Sequence, residues 1–279
     1  MTAQPTTSTI PTLSPVTSRA DIPRARRIVV KVGSSSISGE NAGQVAPLMD
    51  ALAGAHARGA EIVLVSSGAI ATGLPFLNLQ DRPADLATKQ AAAAVGQNVL
   101  IYRYQESLAR YKIVAAQVLL TAGDLEAKVN RANARRAMER LLDLRILPIV
   151  NENDTVATAE IRFGDNDELA ARVSKLLNAD VLVLLSDVDS LYTKPPWVEG
   201  SERIVDVPFG EPLDSVEFGG IGAAGVGTGG ARTKVDAARL AAGAGTPVLL
   251  TSTAQVSEAL GGAPVGTWFA AGLVEHSLG

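Results

Sequence analysis

From Arg27 onward the chain alternates short, nearly unbroken runs of Val, Ile and Leu with longer segments of helical period, and this rhythm limits the folds open to it. The runs are RIVVKV (27–32), EIVLVSS (61–67), IVAAQVLL (113–120), ILPIVN (146–151), DVLVLLS (180–186) and PVLLTS (247–252). A strand with one wet face alternates apolar and polar residues, whereas runs this uniform suit parallel strands covered on both faces. Between them, Ala87, Ala91, Ala94, Val95, Val99 and Tyr102 share one helical face, and Ala134, Ala137, Met138, Leu141 and Leu142 share another. Leu169, Ala170, Val173, Leu176 and Leu177 make a third, and Val235, Ala238 and Ala242 a fourth. Strand–helix–strand alternation, with no repeat and no Pro/Gly linker, predicts one continuous three-layer α/β/α sandwich around a mostly parallel sheet.

Composition narrows the function classes. Of 279 residues, 47% are hydrophobic and 19% charged, which supplies a sizeable core and sets the chain apart from disordered sequences. A net charge of −4 argues against a nucleic-acid binder that works by phosphate neutralisation, yet leaves small anionic ligands open. Without cysteine there is no disulfide framework and no thiolate nucleophile, in keeping with a reducing, cytoplasmic setting. No apolar run is long enough to span a bilayer. Residues 1–26, rich in Thr, Ser and Pro and lacking a signal-type apolar core, read as an unstructured leader.

In parallel sheets ligands bind beyond the carboxyl ends of the strands. Four polar motifs fall there: KVGSSS after the first run, SSGA after the second, NENDTV after the fourth and SDVDSLY after the fifth. Lys31, inside an apolar strand, either snorkels from a sheet edge or points into a polar site. Gly33 and the backbone N–H groups after it could form a nest for phosphate oxygens. Ser67 and Gly68 precede a helix, whose N–H groups need a cap and equally suit an anion.

The segment NENDTVATAEIRFGDNDELAARVSKLL (151–177) is the most informative. Asp165 and Glu168 are accounted for as a helix cap and its capping-box partner, which leaves Asn166 and Asp167 unexplained. Asn151, Glu152, Asn153 and Asp154 fit a polar turn, or a set of donors and acceptors for the ammonium and carboxylate of a free amino acid. Ser186, Asp187 and Asp189 read equally as a turn or as a rim contacting a nucleotide. GVGTGGARTK (225–234) is not a P-loop, because Val235 follows the lysine. Alone, such a glycine cluster is a flexible surface loop. Beside Lys31 and a carboxylate cluster it reads as a phosphate clamp ending in Lys234. His56 and His276 are expected at the surface, and Trp197 and Trp268 in packing roles.

Taken in order, these five motifs resemble the glutamate 5-kinase branch of the amino-acid kinase family, over about residues 27–270. The pair NEND and GDND carries most of the specificity, since sister kinases for acetylglutamate, aspartate, carbamate or UMP lack it in this form. The resemblance implies a kinase that uses Mg-ATP to phosphorylate the γ-carboxylate of L-glutamate at the start of proline biosynthesis. It further implies a homo-oligomer with proline as feedback inhibitor. Lys31, Lys234 and Asp167 would be catalytic, while Ser67, Gly68, Asp154 and Asn166 would bind glutamate. ATP would fall to Lys31, Gly33, Ser186, Asp187 and a clamp of Thr228, Gly229, Gly230, Ala231, Arg232, Thr233 and Lys234. Mg²⁺ would be held mainly by ATP, without dedicated protein ligands.

Residues 27–178 would mainly bind glutamate and 179–279 mainly ATP. Many members continue into a PUA-type domain, and none is expected here. Ser186 stands where Thr is common and keeps the hydroxyl; Ala231 stands where Met is usual. The alternatives are another amino-acid kinase, acetylglutamate kinase first, or a non-catalytic nucleotide-binding protein on the same fold. The last predicts loss of Lys31, Lys234 or Asp167, and all three are present.

Overall fold

The computed structural model describes residues 15–157, 166–218 and 230–272. Its strands are β1 (Arg27–Val32), β2 (Glu61–Val65), β3 (Ala115–Leu120), β4 (Leu147–Glu152), β5 (Val181–Ser186), β6 (Leu191–Tyr192), β7 (Arg203–Ile204), β8 (Asp206–Val207), β9 (Val248–Ser252) and β10 (Thr267–Phe269). The helices are α1 (Val45–Ala57), α2 (Ala69–Gly73), α3 (Leu86–Ala109), α4 (Ala122–Glu126), α5 (Lys128–Asp143), α6 (Asn166–Leu177), α7 (Ala231–Gly243) and α8 (Val256–Leu260). Eight strands form one sheet in the order β3-β4-β2-β1-β5-β9-β10-β8, and β6 and β7 pair separately. The six apolar runs are the six mutually parallel strands, so their carboxyl ends share one edge. β10 runs antiparallel to β9. The four strands without a sequence signal are two or three residues long, too short to make a run.

The alternation of β1 explains the layers. Ile28, Val30 and Val32 enter a core shared with Leu48 and Leu52 of α1, Leu100 and Tyr104 of α3 and Leu260 of α8. Val29 enters the opposite core with Met138 of α5, Leu169 and Val173 of α6 and Val235 of α7. Lys31, two residues beyond Val29, lies on that second side.

Three expectations change. On α3 the face of Ala87, Ala91, Ala94 and Tyr102 is exposed, and the buried stripe is Ala92, Ala93, Gly96, Gln97, Leu100, Tyr104 and Leu108. Alanines occur on both faces, so a count of apolar residues could not choose between them. The choice is made by α2, which approaches so closely that a Cβ at Gly96 would lie 1.8 Å from the Ala69 carbonyl oxygen. Trp197, expected to pack, is 72% exposed in the turn between β6 and β7, while Trp268 in β10 is buried.

The end of the expected leader is ordered. A 3-10 turn over Arg19–Arg24 buries Ile22 fully. Arg19 Nε donates to the Val265 carbonyl at 2.9 Å, and Arg19 Nη1 pairs with Asp206 at 2.7 Å. These partners lie near the far end of the chain, which is why composition hid them; residues 1–14 lie outside the described residues.

Gly96→Ala must part α2 from α3, and it is expected to cost about 1–3 kcal/mol or more. Gly54→Ala, on the exposed side of α1, would place its methyl 3.9 Å from Arg58 Nη1 and gain up to about 1 kcal/mol of helix propensity. Urea denaturation compares them, and equal midpoints would remove the steric argument.

Candidate active site

Lysine survives in β1 because a carboxylate meets it. Lys31 is 2% exposed and its Nζ lies 2.5 Å from Asp167 Oδ1. Lys234 Nζ, from the first turns of α7, lies 3.2 Å from the other oxygen, Oδ2, which also accepts from Thr233 Oγ1 at 3.3 Å. Asp167 itself is wholly buried, in the first turn of α6. Burial alone would push its carboxyl up. The charge of Lys31, and then that of Lys234, outweighs burial and holds it down at about 2. Two ammonium groups thus converge on one carboxylate at the carboxyl ends of the strands.

The loops after β1 and β2 close on this cluster. A Cβ at Gly33 would sit 3.8 Å from Lys31 Nζ, so the backbone there passes directly over the amine. Ser34 turns the chain, its carbonyl accepting from Ser38 N at 3.1 Å. Gly68, with φ of 86°, is left-handed and approaches so closely that a Cβ would fall 3.1 Å from Ser34 Cβ. Ser67 is half-buried beside it.

A second polar group lies over the ends of β2 and β4. Asn166 Nδ2 donates to the Ser66 carbonyl at 2.7 Å and to Asn151 Oδ1 at 2.8 Å. Asn151 Nδ2 in turn donates to Gln97 Oε1 on α3 at 2.6 Å. Ser66 Oγ bonds the Tyr104 hydroxyl at 2.8 Å, and burial pushes that phenol's pKa up, keeping it neutral. Asp154 is half-buried in the turn after β4.

Of the residues expected to act, Lys31, Asp167, Thr233 and Lys234 meet, and Asn166 stands next to them in sequence. Gly230 opens α7, with Ala231 and Arg232 exposed; Thr228 and Gly229 lie outside the described residues. Ser186 and Asp187 bond each other at 3.0 Å rather than the lysines. The register Val32↔Leu185 nevertheless places Ser186 beside Gly33 on the neighbouring strand. Asp165, the expected cap, is outside the described residues, and Glu168 reaches forward to Arg172 at 2.8 Å.

Gln97, Ser66 and Tyr104 were missed. Their sequence signal was a polar residue and, seven positions on, a tyrosine along an alanine-rich helix. Among the described residues no group of three or more His, Asp or Glu side chains is placed to hold a metal ion. Nor is any helix among them long and apolar enough to cross a membrane.

A parallel sheet carrying two lysines on one carboxylate at its edge defines a phosphate-handling α/β enzyme, and comparison with known proteins fixes which kind. The model of the amino acid kinase family matches residues 26–252, and the chain belongs to that family. A relative named Glutamate 5-kinase from Clavibacter sepedonicus is 76% identical over 253 residues, covering 91% of this chain and 97% of the relative. Another of that name from Leifsonia xyli subsp. xyli is 72% identical, covering 90% and 93%. A third, from Salinispora arenicola, is 55% identical over 90% of this chain and 69% of its own length. Among solved structures, the carbamate kinase from Giardia lamblia bound to AMP-PNP aligns with a TM-score of 0.63 at 16% identity, covering 90% of this chain and all of that one. That likeness concerns the fold.

Asp167→Asn leaves two buried ammonium groups facing each other and is expected to lose about 3–5 kcal/mol. The Asp167 carboxyl is depressed on folding, so its contribution is full above the unfolded value of 3.8 and is lost as the pH falls toward about 2. The stability gap between wild type and variant, measured in urea across that range, should close on acidification. A gap that stays constant would contradict the ion-pair account.

Proposed function

We propose that the protein transfers the γ-phosphoryl group of ATP to the γ-carboxylate of L-glutamate, giving L-glutamyl 5-phosphate for proline biosynthesis in the cytoplasm. The observation that carries the reading is the Lys31–Asp167–Lys234 cluster, two ammonium groups gathered on one buried carboxylate at the strand ends. The relatives' names give the acceptor, and the NEND and GDND residues around Asn151 and Asn166 supply amides suited to an amino acid.

The acceptor carboxylate has a reference pKa of about 4.3, so it is ionised near neutrality and needs no general base. The obstacle is repulsion between it and the triphosphate. One carboxylate oxygen attacks the γ-phosphorus as the bond from that phosphorus to the β,γ-bridging oxygen breaks, and ADP leaves with the electron pair. Lys31 and Lys234 steady the charge on the γ-phosphoryl oxygens and on the departing β-phosphate. Asp167 holds both amines at one spot, which is positioning achieved before the substrate arrives. Both Asp167 oxygens are engaged by ammonium groups, which commits this carboxylate to the lysines. Mg²⁺ would be held mainly by ATP oxygens and water, where it would neutralise phosphate charge. Gly33, Ser186, Asp187 and the Gly230–Lys234 segment line the nucleotide's path, while Ser67, Gly68, Asp154 and Asn166 hold glutamate. Proline, also an α-ammonium carboxylate, is the expected feedback inhibitor.

A coupled ADP-release assay with glutamate, aspartate and N-acetylglutamate, with and without proline, tests the acceptor. Turnover confined to N-acetylglutamate would reject it. In the same assay Lys234→Ala should lower kcat by about a hundredfold or more, and Asp154→Ala should raise KM for glutamate far more than for ATP. Unchanged turnover in the first, or equal KM effects in the second, would discard those roles.

The assembly is a homo-oligomer. What supports it is the outer face of α3, where Tyr102 is 65% exposed, together with exposed Val114 beside the edge strand β3. Tyr102→Glu should lower the mass found by sedimentation equilibrium; a wild-type monomer would overturn the proposal.

A further inference from the structure

The amides behind Asn166 form a chain whose polarity is fixed at both ends. The Ser66 carbonyl can accept only, so Asn166 must present its NH₂ group there, at 2.7 Å. The Glu152 backbone N–H can donate only, so Asn151 must present Oδ1 to it, at 2.9 Å. Asn151 Nδ2 then points the other way and needs an acceptor, which Gln97 Oε1 supplies at 2.6 Å. Asn151 is 1% exposed and Gln97 7%, so both amides are removed from bulk solvent.

Gln97 fills this role at a cost. Its Nε2 is buried and, among the described residues, has no hydrogen-bond partner. An orphaned amide donor costs about 1–3 kcal/mol, which an apolar side chain on this otherwise apolar stripe would avoid. The carbonyl end is therefore what the position needs. With both Nδ2 hydrogens of Asn166 committed, to Ser66 and to Asn151, its remaining group is the acceptor Oδ1, which makes no hydrogen bond among the described residues.

We propose that Gln97 is a positioning residue for amino-acid recognition: acting through Asn151, it holds Asn166 so that an acceptor oxygen meets the substrate's α-ammonium group. This rests on the reading of the site as a glutamate site. Gln97 touches neither the substrate nor the reacting atoms. Its loss leaves Asn151 Nδ2 unsatisfied, and Asn151 regains partners by rotating away from Asn166.

The test compares Gln97→Met, which keeps the length and removes the acceptor, with Gln97→Glu, which keeps an acceptor. Gln97→Met should raise KM for glutamate by about tenfold or more, the equivalent of one lost hydrogen bond, with kcat and KM for ATP within about threefold of wild type. Gln97→Glu should stay within about threefold in all three. Side-chain amide hydrogen exchange followed by NMR, with the Asn166 signals assigned by their loss in Asn166→Asp, reads the relay without turnover. Gln97→Met should unprotect the Asn166 amide while the backbone amides of β2 and β4 stay protected. Equal impairment of the Met and Glu variants, or an Asn166 amide still protected in Gln97→Met, would overturn the proposal. If wild type fails to phosphorylate glutamate, the function reading falls and the exchange measurement still decides the relay.

Discussion

One carboxylate shared between two lysines sets the terms for the rest of the molecule. A lone ammonium in the middle of a parallel sheet would be intolerable, since desolvating an ion costs several kcal/mol. Asp167 makes Lys31 affordable, and in return Lys31 and Lys234 keep Asp167 ionised despite complete burial. The arrangement binds a central strand, the start of α6 and the start of α7 at a single point. Stability and the proposed contact with phosphate thus come from the same three side chains.

Much of this was legible in the chain, and what was not has a common cause. Uniform apolar runs declared the six parallel strands, whereas the lysine inside one of them fitted an edge strand as well as a site until the sheet order placed β1 centrally. Asn166 and Asp167 stood out since helix capping did not account for them. Gln97 did not stand out: one amide in an alanine-rich helix gains its meaning from Asn151, which is 54 positions away. The buried face of α3 was misjudged for a related reason. Gly96 and Gly73 allow backbone contact, and that contact, rather than hydrophobicity, turns the helix. Arg19 and Ile22 lay within a stretch whose Thr, Ser and Pro content suggested disorder, although one apolar anchor and one arginine suffice to dock it.

The two cores have different duties at the sheet edge. The side packed by α5, α6 and α7 receives Lys31, Asp167 and Lys234, the residues proposed to meet phosphate. The side packed by α1, α3 and α8 receives Ser66 and Asn151, both backed by α3 through Tyr104 and Gln97. Parallel strands make this division possible, since alternate residues at each carboxyl end face opposite layers. On the second side α2 lies in backbone contact with α3, and Gly68, just before α2, meets Ser34.

The two duties are joined at one peptide bond. Asn166 and Asp167 are consecutive in the first turn of α6, and successive helical residues diverge by about 100°. Asn166 accordingly reaches across the ends of β2 and β4, while Asp167 turns to the lysines. A group bound against the amides and a phosphoryl group bound against the lysines are therefore referred to one rigid element. Error in their relative placement cannot accumulate over loops or hinges. For a reaction between two anions, which is limited by approach and alignment rather than by proton transfer, that shared reference is the part of catalysis a fold can supply before either substrate binds.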